Sequence, residues 1–345
     1  MMVRRGVRVW LLAWAAAMLW IVGSCSDATV PNPVDAPPTR VVQSPSSTVR
    51  TSVDGSATST EGGVASTSRP VTASRPPSAT SSPPPAQSAP AERTASPQQI
   101  SDQVTARMRD IAKHEPAGSI SVAAVNTATG RRYSFGAAQG MWTASAYKLL
   151  VLEGLLLERQ RTGAWLTAGE IADATRAIEN SDNVAGYRLF LDMGGRSGLT
   201  RTIQQLGMTH TVAGRTDPTF TTTGGQDCLA MARALLPGGP LDARSRSFVL
   251  GLMSHIESDQ RWGIGVIAGP GDTFVNKNGW LPVQDDNGPG ETDGGRWVVT
   301  SVGIVTEHEQ HILIAVLTQH QPSLGAGQQL VETLARLVEP VVSQG

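Results

Sequence analysis

The aliphatic run that follows Lys148 constrains this chain more than any other stretch. Leu149-Leu150-Val151-Leu152-Glu153-Gly154-Leu155-Leu156-Leu157 holds seven large aliphatics in nine residues, spread over every face of a helix. A helix that is apolar all round belongs in a core, and this run is too short to span a bilayer. The spacing predicts a core helix over Ser145–Arg159. Its first residues, Ser145-Ala146-Tyr147-Lys148, put a hydroxyl and an amine one turn apart on one face. A buried ammonium is costly unless it is paired or driven toward neutrality. A lysine so treated can act as a base on the serine and make it a nucleophile. The bland alternative is a serine that caps the helix and a lysine that snorkels.

The N-terminus reads as an export signal. Arg4, Arg5 and Arg8 precede the apolar segment Val9–Val22, and Val22-Gly23-Ser24-Cys25 follows. These residues resemble the bacterial lipoprotein box, which implies removal of residues 1–24, lipid on Cys25 and a place on the extracytoplasmic face of the cell membrane. An uncleaved single-span anchor and a cleaved soluble protein are the alternatives. Residues 25–97 read as a Pro/Ser/Thr-rich linker: Asp27–Pro97 holds 13 of the 22 prolines and has no apolar period. Such a segment cannot bury enough apolar area to offset chain entropy, so it would tether the next domain away from the membrane. With Cys25 lipidated, Cys228 has no partner and reads as a small buried thiol in a helix. No disulfide framework, metal-ligand spacing or cofactor motif is present. A net charge of −1 with no basic patch argues against nucleic acid as a partner.

Residues 98–345 read as the folded domain. Ile100, Val104, Met108 and Ile111 predict a first amphipathic helix. Ser119–Val125 and Arg131–Phe135 predict a hairpin. After the core helix come helical segments. One is opened by a capping box at Thr167–Glu170, one runs over Asn183–Leu191, and one contains Leu199, Ile203 and Leu206. Another is opened by a second capping box at Thr223–Gln226 and leads into Leu229–Leu236, and a further one spans Leu241–His255. Gly207–Thr223 reads as irregular. Thr273–Asn278, Trp297–Val305 and Ile312–Leu317 predict strands, and Gln328–Val342 a closing helix. The expected fold is α+β: a five-stranded antiparallel sheet flanked by the N- and C-terminal helices, with a separate helical layer and a cleft between them.

Two further motifs join the serine and lysine. Ser181-Asp182-Asn183 stands at a helix start, and Lys277-Asn278-Gly279-Trp280 on or at the end of a strand. Singly, the first is a helix cap and the second a hairpin turn. Together with Ser145-Ala146-Tyr147-Lys148, in this order, they resemble the class A β-lactamase-like, penicillin-recognising serine hydrolases. The resemblance covers residues 98–345. It implies that Ser145 attacks a carbonyl, that Lys148 takes its proton and that Ser181 relays a proton to the leaving nitrogen. It further implies that Asn183 binds the substrate's amide side chain and that Lys277 faces a substrate carboxylate. Asn278 would offer an amide N–H₂ where the family has a hydroxyl. The backbone N–H groups of Ser145 and of Trp280, after Gly279, would hold the oxyanion. The partner implied is a β-lactam or a peptidoglycan-derived amide.

The departures from the pattern bear on turnover. Class A β-lactamases carry a glutamate in a Glu-Pro-x-Leu-Asn pattern that activates the deacylating water. The corresponding loop here, Gly207–Thr223, has no glutamate, and Asp217 is its only carboxylate. Slow deacylation is therefore the expectation. A catalytically weak wall-binding lipoprotein and an efficient β-lactamase with Asp217 or another base are the alternatives. His308-x-x-His311 reads as a polar hairpin turn and not a metal site. Asp285-Asp286-Asn287-Gly288 reads as an exposed acidic loop.

Overall fold

The computed structural model describes residues 95–283 and 296–343. The export signal, Cys25, all but the last residues of the linker, and the Asp285-Asp286-Asn287-Gly288 loop lie outside the described residues.

Five strands form one antiparallel sheet. They are β1 (Ile120–Asn126), β2 (Arg132–Gly136), β5 (Thr273–Val283), β6 (Arg296–Glu307) and β7 (Gln310–Gln321), in the order β2-β1-β7-β6-β5. β3 (Met141–Trp142) and β4 (Thr222–Thr223) make a separate two-stranded pair. β5 is thus a sheet edge, and Lys277 leaves one of its faces. The three late strands run longer than the β-branched clusters alone predict, because each pairs along its whole length with a neighbour.

Alternation along the strands decides which residues meet which layer. On β7, Ile312, Ile314 and Val316 face one core with Val331, Leu334, Ala335 and Val338 of α8 (Leu324–Val342). Val104 and Met108 of α1 (Pro97–Ala112) complete that layer. Leu313, Ala315 and Leu317 face the other core with the aliphatics of α2 (Tyr147–Thr162). The helical layer also contains α3 (Ala168–Glu179), α4 (Asn183–Asp192), α5 (Gly195–Gln205), α6 (Gly225–Ala234) and α7 (Ala243–Ser254). The expected α+β architecture is the one observed.

α2 is buried on all sides, as its composition requires: Leu149, Leu150, Val151, Leu152, Leu155 and Leu156 are fully inaccessible. It ends at Gly163, whose left-handed φ of 68° no other residue adopts without strain. Two local readings are corrected. Ser145 does not open the α-helix. It sits in a 3₁₀ turn, Ala144–Ala146, with Ala144 at φ 43°, and no side chain caps either element. The capping box at Thr223–Gln226 does not form: α6 is capped by Gly224, because the Thr223 hydroxyl pairs with Thr211 at 2.7 Å instead. The box at Thr167–Glu170 forms with both reciprocal bonds.

Candidate active site

The 3₁₀ turn, the start of α4 and the edge strand β5 bring the three motifs to one place. Lys148 Nζ donates to Ser145 Oγ at 2.9 Å and to Asn183 Oδ1 at 2.8 Å. It also donates to the Ser181 carbonyl and lies 3.3 Å from Ser181 Oγ. Lys277 Nζ reaches the same Ser181 Oγ at 2.9 Å and the Asn278 carbonyl at 2.7 Å. One serine hydroxyl therefore stands between two buried amines. Lys148 is fully inaccessible and Lys277 nearly so.

Burial sets the electrostatics. Desolvation lowers the Lys148 pKa to about 8, against the opposing pull of Asp182 and Asp217. Lys277 is pushed well below the ordinary lysine value, first by burial and then by the charge on Lys148. Two ammonium groups on one hydroxyl repel each other, so the site favours at least one neutral amine until an anion enters. A neutral Lys148 has a lone pair and can accept the Ser145 proton.

Local structure explains how each group is held. Ser181 lies between α3 and α4 at φ 56°. This left-handed conformation costs about 1–2 kcal/mol for a non-glycine residue and is sustained here by the bonds from both lysines. The cap reading of Ser181-Asp182-Asn183 holds, and the same segment meets Lys148 and Lys277. Asp182 caps α4 through Ala185 N–H at 2.7 Å, and this fixes Asn183 at the first helical position facing Lys148. Gly186 lies one turn on: a Cβ there would come within 2.9 Å of Lys148 Cε and Cγ and 3.0 Å of the Tyr147 hydroxyl. Gly186→Ala should displace the lysine stem and slow serine acylation by at least tenfold with little loss of fold. Stopped-flow acylation rates read against circular dichroism check this.

Strand alternation separates the neighbours of Lys277. Asn278 does not offer its amide to the cleft. Its N–H₂ donates to the carbonyls of Gln260 at 2.8 Å and Trp262 at 2.9 Å, and its Oδ1 accepts from Asn276 at 2.8 Å. Adjacent strand residues point to opposite sides, so Asn278 anchors the segment before β5 and leaves Lys277 to face Ser181. Gly279 is the point of closest approach. A Cβ there would meet Ser145 N and Ala146 N at 2.8 Å and the Thr143 carbonyl at 2.6 Å. Only glycine admits this contact between β5 and the Ser145 turn.

A cleft of about 590 Å³ opens over Ser145. Asn183, Asp217 and Trp280 line it with Tyr147, which lies between Ser145 and Lys148, and with residues outside the motifs: Val184, Tyr187, Arg188, Thr219, Phe220 and Leu281. Val184 and Tyr187 could have been found from the helical period that begins at Asn183. The aromatic walls are braced from behind, Phe220 edge-on to Trp142 at 5.3 Å and Trp280 against Trp262 at 6.1 Å. Asp217 Oδ1 accepts from Thr219 N–H at 2.8 Å, and its charge raises both the Lys148 and Tyr147 pKa values. Its loop is pinned to α6, where Asp227 accepts from His210 N–H at 2.7 Å and from the Thr211 hydroxyl at 2.8 Å.

The other singled-out residues lie elsewhere. Cys228 is buried in α6, its thiol pushed up to about 12 by burial. His308 is in the β6–β7 turn at φ 45°, and the His311 ring lies 3.1 Å from the Thr306 hydroxyl.

A family model described as the beta-lactamase enzyme family matches residues 156–341. The match begins after Ser145 and Lys148. No curated protein matches the chain. Among solved structures, a variant of the class A beta-lactamase of the last common ancestor of Gram-negative bacteria is similar. It shares 22% identity over 70% of this chain and 97% of that one, with a TM-score of 0.55. A beta-lactamase from Xanthomonas campestris shares 18% identity over 70% and 98%, with a TM-score of 0.56. A mutant of PBP-A in an acyl-enzyme complex with penicillin G shares 18% identity over 70% and 96%, with a TM-score of 0.57. These likenesses establish the fold, and a family match spanning more than half of the sequence establishes the kinship: this chain belongs to the beta-lactamase enzyme family.

Proposed function

We propose that this protein is an envelope serine hydrolase that acylates Ser145 with a β-lactam or a peptidoglycan-type amide. The observation that carries the reading is Lys148: a buried amine with a pKa of about 8, 2.9 Å from Ser145 Oγ. In the proposed reaction Ser145 Oγ attacks the carbonyl carbon as its proton passes to Lys148 Nζ. In this scheme the tetrahedral oxyanion is held by the backbone N–H groups of Ser145 and Trp280, a pairing supported by the close packing of Gly279 on the Ser145 turn. Collapse breaks the C–N bond, and Ser181 hands a proton to the departing nitrogen, resupplied by Lys148 or Lys277. Lys277 supplies positive charge for a substrate carboxylate, and Asn183 binds the acyl amide. Asn278 has no part in this scheme, because its amide is already bonded. A mutant of PBP-A, of similar fold, is known as an acyl-enzyme complex with penicillin G.

Deacylation is proposed to be slow, since the loop over the cleft has no glutamate. A second reading, efficient hydrolysis with Asp217 as the base, is favoured by the place of that carboxylate on the cleft wall. The catalytically weak wall-binding reading predicts no chemistry at all. Cleavage before Cys25, lipidation there and a tether over residues 25–97 complete the proposal, and would place the hydrolase outside the cell membrane.

Intact mass of the protein mixed with penicillin G distinguishes the three. A lasting adduct, absent in Ser145→Ala, is the expected result. Rapid loss of the antibiotic without adduct, itself lost in Asp217→Asn, would favour the second reading. The absence of both adduct and antibiotic loss would defeat both hydrolase readings for this substrate.

A further inference from the structure

Among the described residues, the large apolar side chains left exposed are Val184 (60%), Tyr187 (43%), Leu191 (55%) and Val212 (59%). A single exposed apolar residue is ordinary, but three of these four belong to α4. At 100° per residue Val184, Tyr187 and Leu191 fall within about 60° of one another, so they form one ridge along the helix. Asn183, whose Oδ1 bonds Lys148, starts the same helix. The ridge therefore begins at the reacting centre and leads outward. Val184 and Tyr187 also line the cleft, whereas Leu191 does not. It stands about 10 Å beyond Val184 along the helix axis. An apolar ridge that runs on from a cleft offers cover to the apolar part of a molecule bound there.

We propose that this ridge carries an alkyl tail of the same molecule whose carbonyl meets Ser145, so that the preferred acyl donor has an acyl chain of about eight or more carbons. The proposal rests on the acyl-transfer reading of the site. The side of the substrate follows from position: Ser181 is assigned to the leaving group and Asn183 to the acyl group, and the ridge continues from Asn183. Arg188, beside the ridge and 3.5 Å from Asp173, flanks the tail with its own aliphatic stem. The aromatic walls Phe220 and Trp280 cover the first carbons, and Leu191 meets the last.

The test uses the full-length protein and p-nitrophenyl esters of straight-chain acids from acetyl to decanoyl, each kept below its aggregation concentration. Ser145 Oγ bonds the carbonyl carbon, the bond to the nitrophenolate oxygen breaks, and the hydroxyl proton passes to Lys148. Nitrophenolate release gives the rate, and intact mass gives the acyl adduct. A methylene half-covered by the ridge should raise kcat/KM roughly twofold, so the series should climb from butanoyl to decanoyl. Leu191→Ser should lower the decanoyl-to-butanoyl ratio at least threefold. Val212→Ser, off the ridge, should preserve the ratio. A flat or falling series, or a ratio unmoved in Leu191→Ser, overturns the ridge proposal while a butanoyl adduct leaves the acyl-transfer reading standing. A dimer that Leu191→Ser converts to monomer, with the ratio unchanged, would assign the ridge to a second copy and also overturn it. No adduct from any ester would remove both.

Discussion

Lys148→Met is expected to slow Ser145 acylation by about 10²–10⁴-fold, the range that a positioned general base contributes. Methionine keeps most of the lysine stem, is one heavy atom shorter and carries no charge to bury in a site closed to solvent, so the fold should survive. The pH profile gives the sharper check. An amine of pKa about 8 is neutral in roughly a tenth of molecules at pH 7. Acylation by the unaltered protein should therefore rise about tenfold per pH unit below 8 and level off above it. Lys148→Met should lose that ionisation from the profile. An unperturbed lysine would instead place the limb near pH 10.4. A profile that stays flat from pH 6 to 9 would deny Lys148 the role of base.

The second large effect is on stability. Glu153, inside the aliphatic run of α2, is fully buried, and neither carboxyl oxygen has a hydrogen-bond partner. Burial alone pushes its pKa well above the ordinary value, so the folded protein holds it as a neutral acid. An unpaired buried polar group of this kind costs about 1–3 kcal/mol. Glu153→Met should recover that amount and raise Tm by roughly 2–10 °C for a domain of this size. The sign of the pH effect follows from proton counting. As pH rises past about 4.3 the unfolded chain releases this proton while the folded chain keeps it. Stability is full below that value and falls as pH climbs toward the raised folded pKa. Glu153→Gln should remove this contribution to the slope without changing the shape of the side chain. Denaturant midpoints measured between pH 4 and 8 for the three proteins test both statements.

Much of the frame was legible because its signals are local. The seven aliphatics after Lys148 announce a core helix without knowledge of any neighbour, and the β-branched clusters near Val275, Val302 and Ile314 announce strands. The three motifs announce a site because their joint occurrence is rare. What escaped depends on partners distant in the chain. Thr223 looks like a cap until Thr211, twelve residues earlier, takes its hydroxyl. Glu153 stands out in sequence as an acid in an apolar run, but its want of a partner is a fact about the whole core. Asn278 was open to a better reading, since a period of two places it opposite Lys277 whatever the tertiary fold. The 3₁₀ turn at Ser145 was not, because the backbone it packs against, at Gly279 of β5, lies far along the chain.

That approach has an evolutionary consequence. Where Gly279 meets Ser145, the contact is peptide against peptide, so the width of the gap follows from bond geometry and van der Waals radii rather than from side-chain identity. A lineage can replace nearly every residue on the cleft walls, and so change what is recognised, without resetting the distance between nucleophile and strand. Divergence at the walls is buffered, while the glycine itself cannot gain a side chain without forcing the strand and the Ser145 turn apart.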